Sequence, residues 1–221
     1  PVGTEDVPLL PYVYSGYTIY FGSPASEQDS FDAFVAVQAR ALVWGLQPGW
    51  SQLWLTNQQH LAKAQYLGNL SKIRQQYHRY LTYGELTGEL EWREKPEIRP
   101  ATLHYTGPSG SVRQIETPRI LSSIWIAEDG STGVFAVNTG DRWAKLDGAA
   151  LLRQSGRYRI LADGATVGSF AGERAKLKEY LAPYEVKVWE IVPFDRDAKT
   201  PFEELQMRPS RTPPQLEITA A

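Results

Sequence analysis

From residue 120 onward the hydrophobic period of the chain drops to two, which constrains the fold more than any other feature. Residues 120–127 alternate as a strand, and Glu128-Asp129-Gly130-Ser131 carries the Asp-Gly signature of a hairpin turn. Residues 133–138 read as the returning strand. Further short strands are expected at 143–146, 156–161, 164–170 and 184–192, with Asp163-Gly164 as a second hairpin signal. Short strands punctuated by turns specify an antiparallel β-sandwich. Residues 193–221 are rich in proline and charge and read as a poorly ordered tail.

Composition narrows the function classes. The 221 residues are 42% hydrophobic, with 25 acidic and 23 basic side chains, so the chain holds enough apolar mass for one large domain or two small ones. A net charge of -2 gives no electrostatic case for nucleic acid or an anionic membrane as partner. No apolar run reaches the roughly 18 residues of a membrane span. Cysteine is absent, which excludes disulfides and thiolate chemistry. The sequence starts at Pro1 with neither a methionine nor a signal peptide, as expected of a processed form or a piece of a longer polypeptide. Seven tryptophans and twelve tyrosines supply either an aromatic core or a surface on which sugar rings stack.

The first ninety residues have a different character. Residues 9–14 form a short apolar run ended by Ser15-Gly16, and 17–21 read as a short helix or lid. An acidic loop at 23–32 leads into a helix, with Ser30 or Asp29 as N-cap. Phe31, Phe34, Val35 and residues 38–42 make its apolar face. Residues 41–44 read as a buried strand closed by Gly45, followed by the turn Gln47-Pro48-Gly49 and by Trp50. The order strand, helix, strand is that of a βαβ unit, and a strand buried on both faces belongs to a parallel sheet. Functional groups in such sheets collect on the loops after the strands. Tyr14, Tyr17, Gln47 and Trp50 are therefore the candidate substrate-binding residues, with Trp44 beside them in a packing role. Thr56 and Gln59 have capping-box spacing. Tyr66, Leu70, Ile73, Tyr77 and Leu81 then form the stripe of a helix over 57–83, roughly 40 Å long, which Gly68 is placed to bend and Gly84 to end. Residues 85–118, rich in charge and proline, read as a surface connection with one strand at 102–105, and the change in composition marks a domain boundary.

Catalytic chemistry is harder to place. His60, His78 and His104 lack ligand spacing, so no metal is expected. There is no phosphate-binding glycine loop and no nucleophile elbow, and no cofactor is implied. Glu27, Asp29 and Asp32 supply carboxylates of the kind that cleave glycosidic bonds in pairs, but acids at that position are also what a helix N-terminus favours. Catalytic residues stay unassigned.

The segments Pro8-Leu9, Tyr12-Val13-Tyr14, Trp44-Gly45-Leu46-Gln47-Pro48-Gly49 and Tyr80-Leu81-Thr82-Tyr83-Gly84, followed by the sandwich, resemble the C-terminal part of certain bacterial glycoside-hydrolase-like proteins. In that family a (β/α)8 barrel precedes a small antiparallel β domain. The resemblance implies an α/β part followed by an all-β part. Residues 1–90 would be the last βα units of the barrel, with 9–14 as the seventh strand, 41–45 as the eighth and 57–83 as the last helix. Residues 91–192 would be the β-sandwich with its wrapping connection, and 193–221 the tail. Where the family would place His-Asp after Val13-Tyr14, this sequence has Ser15-Gly16. The implied function is that of the C-terminal portion of a carbohydrate-active enzyme. It would be a glycoside hydrolase of poly- or oligosaccharides in a periplasmic or extracellular setting. Its catalytic carboxylates would lie on an upstream part of the same polypeptide or on a companion chain. The alternative is a non-catalytic carbohydrate-binding or structural module, in which Trp125, Trp143 or Trp189 forms an exposed platform.

Overall fold

The computed structural model describes residues 8–48, 53–104 and 112–194. Four α-helices come first: α1 (Leu9–Tyr14), α2 (Phe31–Val43), α3 (Leu61–Gln76) and α4 (His78–Leu81). Nine strands follow: β1 (Glu85–Gly88), β2 (Glu91–Trp92), β3 (Ile98–His104), β4 (Val112–Pro118), β5 (Ile120–Ile126), β6 (Thr132–Asn138), β7 (Ala144–Ala162), β8 (Ala165–Leu181) and β9 (Val186–Pro193). Every strand pairing among the described residues is antiparallel.

The period-two alternation sorts the side chains of β5, β6 and β9 into two cores. Trp125, Phe135, Val137 and Val188 face the helices, where they meet Phe34, Leu42, Tyr77, Tyr80 and Leu81. Ile124, Val134, Ala136, Trp189 and Ile191 face the opposite way, onto Leu146, Ala150, Leu152, Ala175, Leu177 and Leu181 of the β7–β8 hairpin. The main sheet runs β1-β5-β6-β9-β7-β2, with β8 paired along β7. β7 changes neighbours midway. Its first half pairs with β2 and its second half with β9, and a register shift separates Leu151 from Gly156. A bulge of this kind bends a strand and lets one long hairpin serve both layers. The expected sandwich strands are present, but 143–146 and 156–161 are parts of one strand. Both Asp-Gly turns form, with Asp163 (φ 52) and Gly164 (φ 77) closing β7 onto β8 in the type I′ arrangement.

The expected α/β part is corrected. Residues 9–14 are helix α1, and 41–43 are the last turn of α2, so the two proposed barrel strands do not exist. The parallel contact found is a single bridge, Phe21 to Gln47, where Gln47 N donates to Tyr20 O (2.7 Å) and Gly22 N to Gln47 O (2.8 Å). The molecule is an antiparallel β structure with helices on one face, not the end of a (β/α)8 barrel. The reason lies in α2, where Ala33 to Val43 are all buried. One side of α2 faces the sheet, and Ala33, Ala36 and Val37 face Ala101, Leu103 and Ile115 of the β3–β4 hairpin. A helix covered on both sides is largely apolar, here with Gln38 and Arg40 as buried polar exceptions, and its final residues Ala41, Leu42 and Val43 then have the composition of a buried strand. Gly45 ends it, one residue past the C-cap Trp44. Leu46 N donates to Ala41 O and Gly45 N to Leu42 O, the two bonds of a Schellman motif, with Gly45 at φ 68.

Other local expectations divide. Ser30 is the N-cap of α2, its Oγ accepting from Ala33 N at 3.2 Å. The stripe Tyr66, Leu70, Ile73, Tyr77 and Leu81 packs into the core as expected. Thr56 does not cap the long helix: it closes a 3-10 turn by donating to Leu53 O at 2.7 Å, and α3 starts at Leu61. The long helix divides at Tyr77 rather than bending at Gly68. Residues 85–118 hold four strands, not one.

Candidate functional site

The sequence-derived site residues separate. Tyr14 ends α1 and Tyr17 follows one turn later, 88% exposed, its N–H donating to Tyr14 O at 3.1 Å. Gln47 is half-buried and held in the bridge to Phe21. Trp50 lies outside the described residues. Trp44 packs against the core and carries the Arg40 guanidinium 5.3 Å over its ring, the packing role expected of it. Of the platform candidates, Trp125 and Trp189 are buried, and Trp143 is half-exposed.

The acidic cluster ties the N-terminal segment to the rest of the molecule. Asp29 is buried and accepts from Ser26 N (2.8 Å) and His104 N (2.6 Å). Asp32 accepts from Arg99 Nη1 (3.2 Å) and from the Tyr184 hydroxyl (2.8 Å). Glu27 meets His60 Nε2 at 2.9 Å. Lys63 underlies the group, donating to Glu27 O (3.0 Å) and Asp29 O (2.6 Å) beside the Trp54 ring, and burial lowers its pKa. Asp29 and Asp32 both hold residues of β3, and Glu27 meets His60 ahead of α3, so each carboxylate is taken up by contacts within the protein. Among the described residues no three His, Asp or Glu side chains are grouped to hold a metal ion.

A larger site lies where α4 passes into β1. A groove of about 520 Å³ is lined by two tyrosines, Tyr83 and Tyr158. Ile126, Ala127, Leu152 and Pro193 supply apolar floor; Glu85, Glu128, Arg153, Gln154 and Thr132 supply polar groups. Its volume falls in the range of small-ligand sites. Three features of the chain build it. Gly84 permits a tight exit from α4, since a Cβ there would stand 2.4 Å from Tyr80 O; this exit leaves Tyr83 68% exposed, edge-on to His78. The register shift in β7 delivers Leu152, Arg153 and Gln154 to the groove. Tyr158 is fixed by stacking on Phe170, with centroids 5.4 Å apart, and by donating its hydroxyl to Gln154 O at 2.9 Å. Among the lining residues Arg153 is ion-paired to Glu85.

Chemically the groove offers two aromatic faces, carboxylate acceptors, a guanidinium donor and an amide. It holds no histidine, serine or cysteine nucleophile. Sequence inspection placed Glu85 on the surface and left Tyr83 and Tyr158 unassigned, because a strand bulge and a helix exit bring them together. No family model matches the chain, and no curated protein matches it. No helix among the described residues is long and apolar enough to cross a membrane.

Proposed function

We propose that this chain is a carbohydrate-binding part of a carbohydrate-active protein, and that it holds a stretch of neutral poly- or oligosaccharide in the groove between Tyr83 and Tyr158. The observation that carries this is the pairing of two tyrosine rings with the Glu85–Arg153 ion pair in one open groove. Sugar rings present flat C–H faces that lie on aromatic rings, and hydroxyls that take one hydrogen bond from a guanidinium and give one to a carboxylate. The groove supports binding rather than hydrolysis: Glu85 is engaged by Arg153, and Glu128 stands exposed in the β5–β6 turn. Hydrolysis requires one carboxyl group kept protonated and one ionised across the scissile bond.

Titration calorimetry with a panel of neutral oligosaccharides tests this. Saturable binding is expected, weakened about tenfold by Tyr83→Ala, since an aromatic contact contributes about 0.5–1.5 kcal/mol beyond its area. Tyr83 is exposed, so the variant keeps its fold. Binding that survives both Tyr83→Ala and Arg153→Gln unchanged, or no binding across the panel, would overturn the proposal.

A further inference from the structure

We infer a second, separate binding site around Trp143, selective for a ring that carries a carboxylate, a glycuronate residue of an acidic polysaccharide. Its being a sugar rests on the carbohydrate function proposed above; the groove and its charges do not. A groove of about 330 Å³ opens between the β2–β3 connection and the start of β7, and it shares no lining residue with the Tyr83–Tyr158 groove. Trp143 stands half-exposed in it, in a wall otherwise dominated by charge.

The charges divide into committed and spare. Arg119 Nε donates to Glu97 at 2.8 Å, and Lys145 lies 3.7 Å from Asp147. Lys95 and Arg142 have no ion-pair partner among the described residues, and the acids left near them are Glu94 and Asp141, the latter 4.0 Å from the already paired Arg119. Two cations without an ion-pair partner, Lys95 and Arg142, therefore line the same groove as the Trp143 indole. Arg119, which also lines the groove, has its Nη1 buried without a hydrogen bond among the described residues and 4.0 Å from Asp141.

The segment carrying these groups is built. Asn138, fully buried, donates through Nδ2 to Arg142 O (2.7 Å) and to Ala182 O (2.8 Å), and its Oδ1 accepts from Gly140 N (3.0 Å). Thr139 donates its hydroxyl to Pro118 O at 2.9 Å, which ties the loop to the base of Arg119. Backbone positions at 119 and 142 are thus fixed from below, while the side chains of Arg142 and Lys95 reach solvent. An indole takes the flat face of a pyranose, and guanidinium and ammonium groups hold a carboxylate by charge-assisted hydrogen bonds. A neutral sugar leaves the cations unused, and a bare anion leaves the indole unused.

The test is binding of glucuronate and galacturonate oligosaccharides, followed by tryptophan fluorescence and calorimetry. Neutral glucose and galactose oligosaccharides, acetate and benzoate serve as matched probes. The uronates are expected to bind and to weaken as salt rises, because the contact is partly ionic and solvent-exposed. Trp143→Ala, Arg142→Gln and Lys95→Gln should each weaken uronate binding, the two charge changes by about tenfold. Tyr83→Ala should leave it unchanged, which separates this site from the first. Should Trp143→Ala fail to fold, the two charge variants decide, since both residues are exposed. Acetate binding as tightly as the uronates, benzoate matching them, or uronate binding indifferent to Arg142 and Lys95, would each overturn the assignment.

Discussion

Gly45 lies against the edge of the Trp125 indole so closely that a β-carbon there would stand 2.6 Å from Cη2, and 2.8 Å from the carbonyl oxygen of Leu81. The helix cap and the sheet core therefore meet at a residue without a side chain. Trp125 Nε1 completes the contact by donating to Val43 O at 3.1 Å, and Arg74 Nη1 donates to Gly45 O at 2.7 Å.

Gly45→Ala should be clearly destabilising, and Gly130→Ala much less so. Both glycines have left-handed backbone, φ 68 and φ 78, so each alanine costs about 1–2 kcal/mol in conformation. Nothing stands within 4 Å of a Cβ at Gly130, whereas at Gly45 the overlap adds about 1–3 kcal/mol. Urea midpoints of the two variants, compared with the parent chain, measure the difference. Equal losses would mean that Trp125 moves aside without cost.

Two buried tyrosines should respond in opposite directions to loss of the hydroxyl. Tyr80 Oη lies 2.9 Å from Ser131 Oγ and donates to Glu190 Oε2 at 3.0 Å, so Tyr80→Phe should cost about 1–2 kcal/mol. The hydroxyl of Tyr66 is buried with no hydrogen-bond partner among the described residues. Removing an unsatisfied polar group takes away a desolvation penalty, and Tyr66→Phe should be neutral or stabilising. Thermal unfolding of both variants reads the two signs, and a Tyr66→Phe chain as damaged as Tyr80→Phe would contradict the assignment.

The same two residues set an alkaline limit. Burial pushes the Tyr66 and Tyr80 phenols above their ordinary value. In the unfolded chain they ionise near pH 10, while in the folded chain they stay protonated. Above about pH 10 the unfolded state thus binds fewer protons, and stability falls as pH rises. Each tyrosine contributes about 1.4 kcal/mol per pH unit to that fall, and below the unfolded pKa the effect is absent. Urea unfolding between pH 8 and 11 should show this, with a shallower decline for Tyr66→Phe. A slope unchanged by that substitution would mean that Tyr66 reaches solvent.

How legible these features were depends on what encodes them. The two Asp-Gly turns and the alternation of residues 120–138 were readable because a tight turn and a half-period are local properties. The stripe from Tyr66 to Leu81 was readable for the same reason. The run from Ala41 to Val43 was misread because its surroundings decide its state. Enclosed by the sheet, α3 and the β3–β4 hairpin, the helix buries even Gln38 and Arg40, so Ala41 to Val43 read as a strand and the glycine that follows imitates its end. Asp29 and Asp32 looked like solvated helix-start acids. Their partners His104, Arg99 and Tyr184 lie far along the chain, so no local pattern announces them. The groove was illegible for that reason too: Tyr83 and Tyr158 are separated by most of the β structure, and a register shift within β7 turns Arg153 and Gln154 toward them.

The Glu85–Arg153 pair separates recognition from stability. Both side chains are more than half exposed, 53% and 55%, and an ion pair of that kind contributes about 0–1 kcal/mol to the fold. Arg153→Gln should therefore leave the melting temperature nearly unchanged. In the groove the same pair supplies both a donor and an acceptor to one ligand, and each such hydrogen bond is harder to replace once water is displaced from the Tyr83 and Tyr158 faces. Arg153→Gln and Glu85→Gln are expected to weaken oligosaccharide binding about tenfold each. The double variant should weaken it by less than the product of the two, because residues that share one network do not act additively. A double-variant cycle read by calorimetry, with a melting curve for each chain, tests this. Full additivity with unchanged melting temperatures would show that the two side chains touch the ligand independently, and a large drop in melting temperature would show that the pair holds the fold.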